Sequence, residues 1–224
     1  ITLPTGVDKD GRDRTAVCCL SSLNLEKYDE WKDDPNMVGD VMRFLDNVLS
    51  DFINKAPEQF KDAKYSAERE RSVGLGVMGF HSFLQKHRIP LESVMAKSWN
   101  KKIFKQIDEQ VNKASKDLAE ERGACPDAAE YGFKERFSNK TAIAPTASIS
   151  IICGGASPGV EPIAANSYTH KTLSGSFNVR NRYLEEILES HGKNDDETWS
   201  TITTNQGSVS HLDFLTDLEK DVFK

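Results

Sequence analysis

The stretch Thr141–Pro162, TAIAPTASISIICGGASPGVEP, decides how the rest of the chain is read. A short apolar run, Thr141 to Ala144, ends at Pro145 and is followed at once by the small hydroxyl-bearing turn Thr146-Ala147-Ser148. An apolar stretch then runs to Cys153 and into a loop carrying Gly154, Gly155 and Gly159. Small side chains let a ligand reach backbone N–H groups, and Thr and Ser hydroxyls add further donors, so the cluster is a ready cradle for a phosphate. No Lys or Arg lies between Thr141 and Pro162, so an anion here would be held by dipoles and hydroxyls alone. Gly, Ser, Thr and Pro are also ordinary loop residues, and composition by itself favours a strand, a turn and a glycine loop with no ligand.

Around this stretch lie 224 residues, enough for a real core in one large domain or two small ones. With no repeat, low-complexity tract or evident linker, residues 1–224 are taken as one unit. Charged residues make up 29% against 38% hydrophobic ones, which implies a globular chain with large exposed helical faces. A net charge of -6 argues against a nucleic-acid surface, because no basic stripe is available to neutralise phosphates. No apolar run approaches the roughly 20 residues that span a bilayer. Nor does a basic segment with an apolar stretch behind it open the chain, so a cytoplasmic protein is expected. The four cysteines, Cys18, Cys19, Cys125 and Cys153, suit a reducing compartment. The start in ITLPTG, without Met, suggests a piece of something longer.

In chain order, residues 1–14 are expected to form a polar surface loop, and Thr15 to Leu25, TAVCCLSSLNL, a strand. Tyr28 to Asn36 reads as a turn. Val38, Val41, Met42, Leu45, Val48, Leu49, Phe52 and Ile53 have helical spacing, stopped at Pro57. A charged segment, Asp62 to Arg71, leads to SVGLGVMG and a short helix around Phe80 to Lys86. A long helix is expected over Glu92 to Arg122, ended by Gly123, and another around Ala128 to Phe137. Two further helices, Asn181 to Ser190 and Glu197 to Thr203, follow a segment from Asn166 to Val179 with no clear pattern. Strands alternating with helices favour an α/β fold with a largely parallel sheet.

Gly74, Gly76 and Gly79 form a literal G-x-G-x-x-G, but the preceding Glu68-Arg69-Glu70-Arg71-Ser72 is not the buried strand a dinucleotide site needs. Close strand–helix packing is the better reason for these glycines. Cys18 and Cys19 are adjacent in a candidate strand, so they should point to opposite faces and only one could face a site. From the residues alone the favoured reading is that both are small buried hydrophobes, as free Cys commonly is, over one thiol facing a pocket. No C-x-x-C occurs, and the histidines show no ligand spacing with the cysteines, so zinc is not expected. Tyr168-Thr169-His170-Lys171 reads as a polar surface turn.

Two stretches in this order, AVCCLSSLNL (Ala16 to Leu25) and APTASISIICGGASPGVEP (Ala144 to Pro162), resemble the large catalytic subunit of ribonucleotide reductase. RSVGLGVMGF (Arg71 to Phe80), ERGACP (Glu121 to Pro126) and YTHKTLSGSF (Tyr168 to Phe177) also fit, and the PTAS at Pro145 to Ser148 is the most telling match. The likeness covers essentially the whole chain and is strongest to the class I, diphosphate-reducing enzymes. It implies the second half of a ten-stranded α/β barrel, with helices packed around a largely parallel half-barrel sheet. The family's thiyl-radical cysteine lies in an Asn-x-Cys-x-Glu motif just upstream of a segment like ITLPTG, so it is absent here, and the segment alone is expected to be inactive. By resemblance, Cys18 is one member of the redox pair and becomes half of a disulfide, whereas Cys19 has no chemical role. Leu20 lies near the nucleoside, and Pro145, Thr146, Ala147, Ser148 and Ile149 hold the substrate diphosphate. The implied partners are a ribonucleoside diphosphate, the upstream half of the large subunit and a metal-containing, radical-generating small subunit. Thioredoxin or glutaredoxin would be the reductant, with no cofactor bound by this segment. The adenosylcobalamin-dependent class of the family, or a non-catalytic phosphate-binding α/β module, are the alternatives.

Overall fold

The computed structural model describes residues 5–172 and 175–224. Its strands are β1 (Gly6–Val7), β2 (Asp13–Arg14), β3 (Cys19–Asn24), β4 (Val73–Met78), β5 (Ser167–Thr172) and β6 (Gly175–Arg180). The helices of the first part are α1 (Tyr28–Trp31), α2 (Met37–Lys55), α3 (Lys61–Glu70), α4 (Phe80–Lys86), α5 (Val94–Arg122) and α6 (Pro126–Glu130). After them come α7 (Ala147–Ile152), α8 (Arg182–Ser190), α9 (Asp196–Thr204) and α10 (Asp217–Phe223).

β3 and β4 pair in parallel, from Cys19 opposite Val73 to Asn24 opposite Met78. A third extended segment, residues 139–142, runs along the other edge of β4. The Leu75 N–H donates to the Lys140 carbonyl (2.9 Å), the Ala142 N–H donates to the Leu75 carbonyl (3.1 Å), and Leu75 bridges Thr141 in parallel. Parallel neighbours need long crossovers, and α1–α3 and then α4–α6 supply them. Leu23, Val73, Leu75 and Val77 pack with Val38, Met42, Leu45 and Leu49 of α2 and with Ile103, Ile107 and Val111 of α5. The helices therefore cover one face of the parallel sheet, the arrangement expected for half of an α/β barrel. A second apolar cluster, Tyr183, Leu184, Leu188, Trp199, Ile202, Leu215 and Phe223, is built by α8–α10 and the segment ahead of α10. Polar contacts join it to the first: Asn181 Nδ2 donates to Gln85 Oε1 (3.0 Å), Arg88 Nη1 to the Tyr183 carbonyl (2.9 Å), and the Tyr183 hydroxyl to Glu26.

Several local expectations change. Tyr28–Trp31 is a helical turn, not a loop, because Tyr28 and Trp31 are core side chains and the Trp31 indole donates to the Asn24 carbonyl (3.0 Å). The helix expected at Ala128 to Phe137 is only Pro126–Glu130: Gly132 turns the chain at φ 78°, and Phe137 reaches the core from an irregular segment. Tyr168–Lys171 is part of the hairpin β5–β6, paired from Ser167 opposite Arg180 to Thr172 opposite Gly175, and not a surface turn. The start of the ITLPTG loop, residues 1–4, lies outside the described residues.

Glu70, 2% exposed at the end of α3, carries a buried carboxyl whose Oε1 has no hydrogen-bond partner. Burial pushes it up from 4.5 to about 7, against the opposing pull of Arg14, whose Nη1 lies 3.7 Å away. The folded chain therefore binds more protons than the unfolded one between about pH 4.5 and 7, and this group's contribution to stability is lost as pH rises through that window. Glu70→Gln is expected to melt like the parent at pH 4.5 and at least about 3 °C higher at pH 8. Equal melting temperatures at both pH values would show that Glu70 stays ionised without cost.

Candidate functional site

Cys18 sits one residue ahead of β3 and is exposed, whereas Cys19, the first residue of β3, packs against the helix-side core with Leu23. Side chains alternate along a strand, so Cys18, Leu20 and Ser22 belong to the sheet face away from the helices. Leu20 is 51% exposed there. This face must stay low. A Cβ on Gly76, opposite Ser22, would stand 2.5 Å from the Ala142 carbonyl oxygen and 3.4 Å from Ser22 Oγ. Gly76 is thus a strand residue that admits a neighbouring backbone, which corrects the strand–helix packing expected of it, and the place of Gly74 and Gly76 inside β4 removes any resemblance to a dinucleotide turn. Gly79 opens α4 in the left-handed region at φ 78°. Burial pushes both thiols up, and Cys18 raises Cys19 further, so neither is a ready thiolate.

The turn at 145–149 has a built geometry. Thr146 is left-handed (φ 52°) and buried, and its Oγ1 accepts the Gly159 N–H at 2.7 Å. Its hydroxyl is therefore fixed by the glycine loop instead of standing free, with its own proton still available to donate. Ser150, also buried, donates from Oγ to the Ala147 carbonyl (3.2 Å), and its own carbonyl accepts from Gly155 (3.0 Å) and Ala156 (3.1 Å). α7 starts at Ala147, so the stretch that follows the turn is helical, with Ile149, Ile151 and Ile152 exposed. The N–H groups of Ala147, Ser148 and Ile149 fall in its first turn, where a helix has no partner of its own for them. Pro145, Ala147 and Ser148 are exposed beside them. Gly159 belongs to the glycine loop of the expected cradle, whereas Ser150, which also braces the turn, carries no signal in the sequence that sets it apart.

Register sets the two parts of the site at different levels. Thr141 is level with Leu75, and Leu75 with Ser21, so Cys18 precedes that level by three residues and Pro145 follows it by four. Fully extended, that is at most about 23 Å along the strands. The irregular path of residues 143–146 makes the separation smaller. A single ligand touching both would have to lie lengthwise on the open face. The groove of about 620 Å³ lined by Phe104, Ile107, Thr141, Ile143 and Val160 includes neither Cys18 nor Leu20 nor any of residues 145–149.

Residues 6–135 and 126–224 match the family model described as ribonucleotide reductase, barrel domain. This chain belongs to the ribonucleotide reductase barrel family. It is 50% identical over 215 residues to the ribonucleoside-diphosphate reductase large subunit of Invertebrate iridescent virus 6, covering 94% of this chain and 22% of that protein. The same-named subunit of Invertebrate iridescent virus 3 is 46% identical over 214 residues, with 94% of this chain and 34% of that protein covered. Among solved structures, the class Id ribonucleotide reductase alpha subunit of Actinobacillus ureae superposes with a TM-score of 0.85 at 41% identity, over 94% of this chain and 38% of that one. The reductase barrel segment described here thus spans about a fifth to two fifths of the length of these relatives.

Proposed function

We propose that this segment supplies one redox thiol and the diphosphate loop to a class I ribonucleoside-diphosphate reductase of the cytoplasm. The observation that supports this best is the split of the cysteine pair: Cys18 on the open face of the sheet, Cys19 turned into the core. In this reading a ribonucleoside diphosphate lies along the open face. Its phosphates accept from the Thr146 and Ser148 hydroxyls and the N–H groups of residues 147–149, with Pro145 shaping the turn and Leu20 against the nucleoside. Reduction breaks the C2′–O bond; the oxygen leaves as water, C2′ gains hydrogen, and two thiols, Cys18 and one from the rest of the large subunit, join as a disulfide. Two sulfurs are needed because the step takes two electrons. The thiyl radical and its metal-containing generator belong to the upstream half and to a small subunit, and thioredoxin or glutaredoxin would reopen the disulfide.

A hydrogen bond to the distant diphosphate is made alike in the ground and transition states, so loss of a phosphate donor weakens capture of substrate and leaves the chemical step nearly intact. Thr146→Ala in a full-length subunit is expected to raise the KM for nucleoside diphosphate about tenfold or more, with kcat within a factor of about three. An unchanged KM would remove Thr146 from the diphosphate site.

A further inference from the structure

The residue ahead of α4, Gly79, has no side chain with which to cap it. The cap comes from elsewhere. Ser157 Oγ accepts the Ser82 N–H at 3.1 Å, and Ser82 Oγ in turn accepts the Ser157 N–H at 2.8 Å. Ser82 is the third residue of α4, so this pair makes the two bonds of a capping box, with the capping serine supplied from 75 residues further along the chain. A third bond, from the Gly79 N–H to the Ser157 carbonyl at 2.7 Å, closes the bracket. Ser157 is completely buried and Ser82 nearly so. Two residues on, Gly159 donates to Thr146 Oγ1. A continuous path therefore runs from the end of β4 through Ser82 and Ser157 to Gly159 and Thr146.

We infer that Ser157 is a positioning residue: by capping α4 from the glycine loop, it holds Gly159 and so fixes the Thr146 hydroxyl in the proposed diphosphate turn. This rests on the reading of residues 145–149 as that turn. The chemistry at stake is orientation. Gly159 occupies one lone pair of Thr146 Oγ1, which leaves the hydroxyl proton directed at an anion, and a loop free to drift lets the hydroxyl rotate.

The test is a double-mutant cycle in a full-length large subunit, with nucleoside diphosphate binding read by equilibrium titration and KM and kcat read in turnover. Ser157→Ala is expected to weaken substrate binding about fivefold, the scale of one lost cap, while kcat changes less than twofold. Adding Ser157→Ala to Thr146→Ala should weaken binding little further, because both act through one hydroxyl. Ser82→Ala, which cuts the reciprocal bond from the other end, should raise KM in the same direction and serves if Ser157→Ala does not fold. Fully additive losses, or a Ser157→Ala protein of lower melting temperature with unchanged KM, would make the bracket a structural cap only and overturn the inference. If instead Thr146→Ala itself leaves binding unchanged, the diphosphate reading fails and this inference falls with it.

Discussion

In a full-length large subunit carrying this segment, Cys18→Ser is expected to stop repeated turnover, while Cys19→Ser keeps it. The two residues are neighbours of the same chemical type, so only their placement can separate them. Cys18 is exposed on the open face, whereas Cys19 packs with the core side chains of the helical layer. If Cys18 is one of the two sulfurs that close to a disulfide, serine in its place removes one electron donor, and steady-state turnover falls on the order of 100-fold or more. Cys19→Ser puts a hydroxyl into a partly apolar site, with a cost to stability of about 1–3 kcal/mol and no direct loss of chemistry. The measurement is deoxynucleotide formed per enzyme over many turnovers, together with the melting temperature of each variant. Equal loss of turnover from both, at comparable stability, would overturn the facing argument.

The second large effect concerns the fold. Asp46 of α2 is 0% exposed and is met by three guanidinium groups. Arg71 Nη2 donates to Oδ1 at 2.6 Å, Arg136 Nε to Oδ1 at 2.9 Å, and Arg122 Nη1 to Oδ2 at 2.8 Å. Burial pushes the Asp46 carboxyl up, but the hydrogen bond from Arg136, the charge of Arg71 and the bond from Arg122 outweigh it, and the net direction is down. The cluster joins α2, the residue after α3, the end of α5 and the segment before residues 139–142. It therefore staples the crossovers on which the parallel sheet depends.

Asp46→Asn keeps the volume and removes the charge, leaving three cations around a neutral amide. The expected cost is about 3–5 kcal/mol, a large share of the 5–15 kcal/mol of a typical domain. Thermal or urea unfolding should show a drop in melting temperature on the order of 10 °C. Because the folded pKa is depressed, the stabilisation is present above the ordinary carboxylate range and fades as pH falls through the lowered value. The difference between parent and variant should therefore shrink in strong acid. A variant melting within about 2 °C of the parent at neutral pH would mean that the arginines find other partners and the staple is dispensable.

Asp46 also shows where reading a sequence stops. It falls on the buried stripe of α2 beside Met42, Leu45 and Leu49, where periodicity alone predicts an apolar residue. Its partners are 25, 76 and 90 residues away, so no local rule could have announced them. The Ser82–Ser157 bracket was hidden for the same reason: a capping box is a local pattern only when both halves are local. By contrast, α2 and the long α5 were legible because their apolar residues recur at helical spacing and Gly123 ends the second.

What the sequence determined by itself was local and periodic: the alternating helices and strands, the opposite facing of Cys18 and Cys19, and the small-residue turn at 145–149. It also carried the family, since stretches such as PTAS and AVCCLSSLNL hold enough identity to be matched without coordinates. Tertiary structure alone decided which strand face stays bare, how Thr146 is held by Gly159, and where the buried charges find partners. Those outcomes depend on side chains far apart in the chain meeting at 2.6–3.1 Å. Such distances are set by packing all the elements at once and not by the preferences of any one of them.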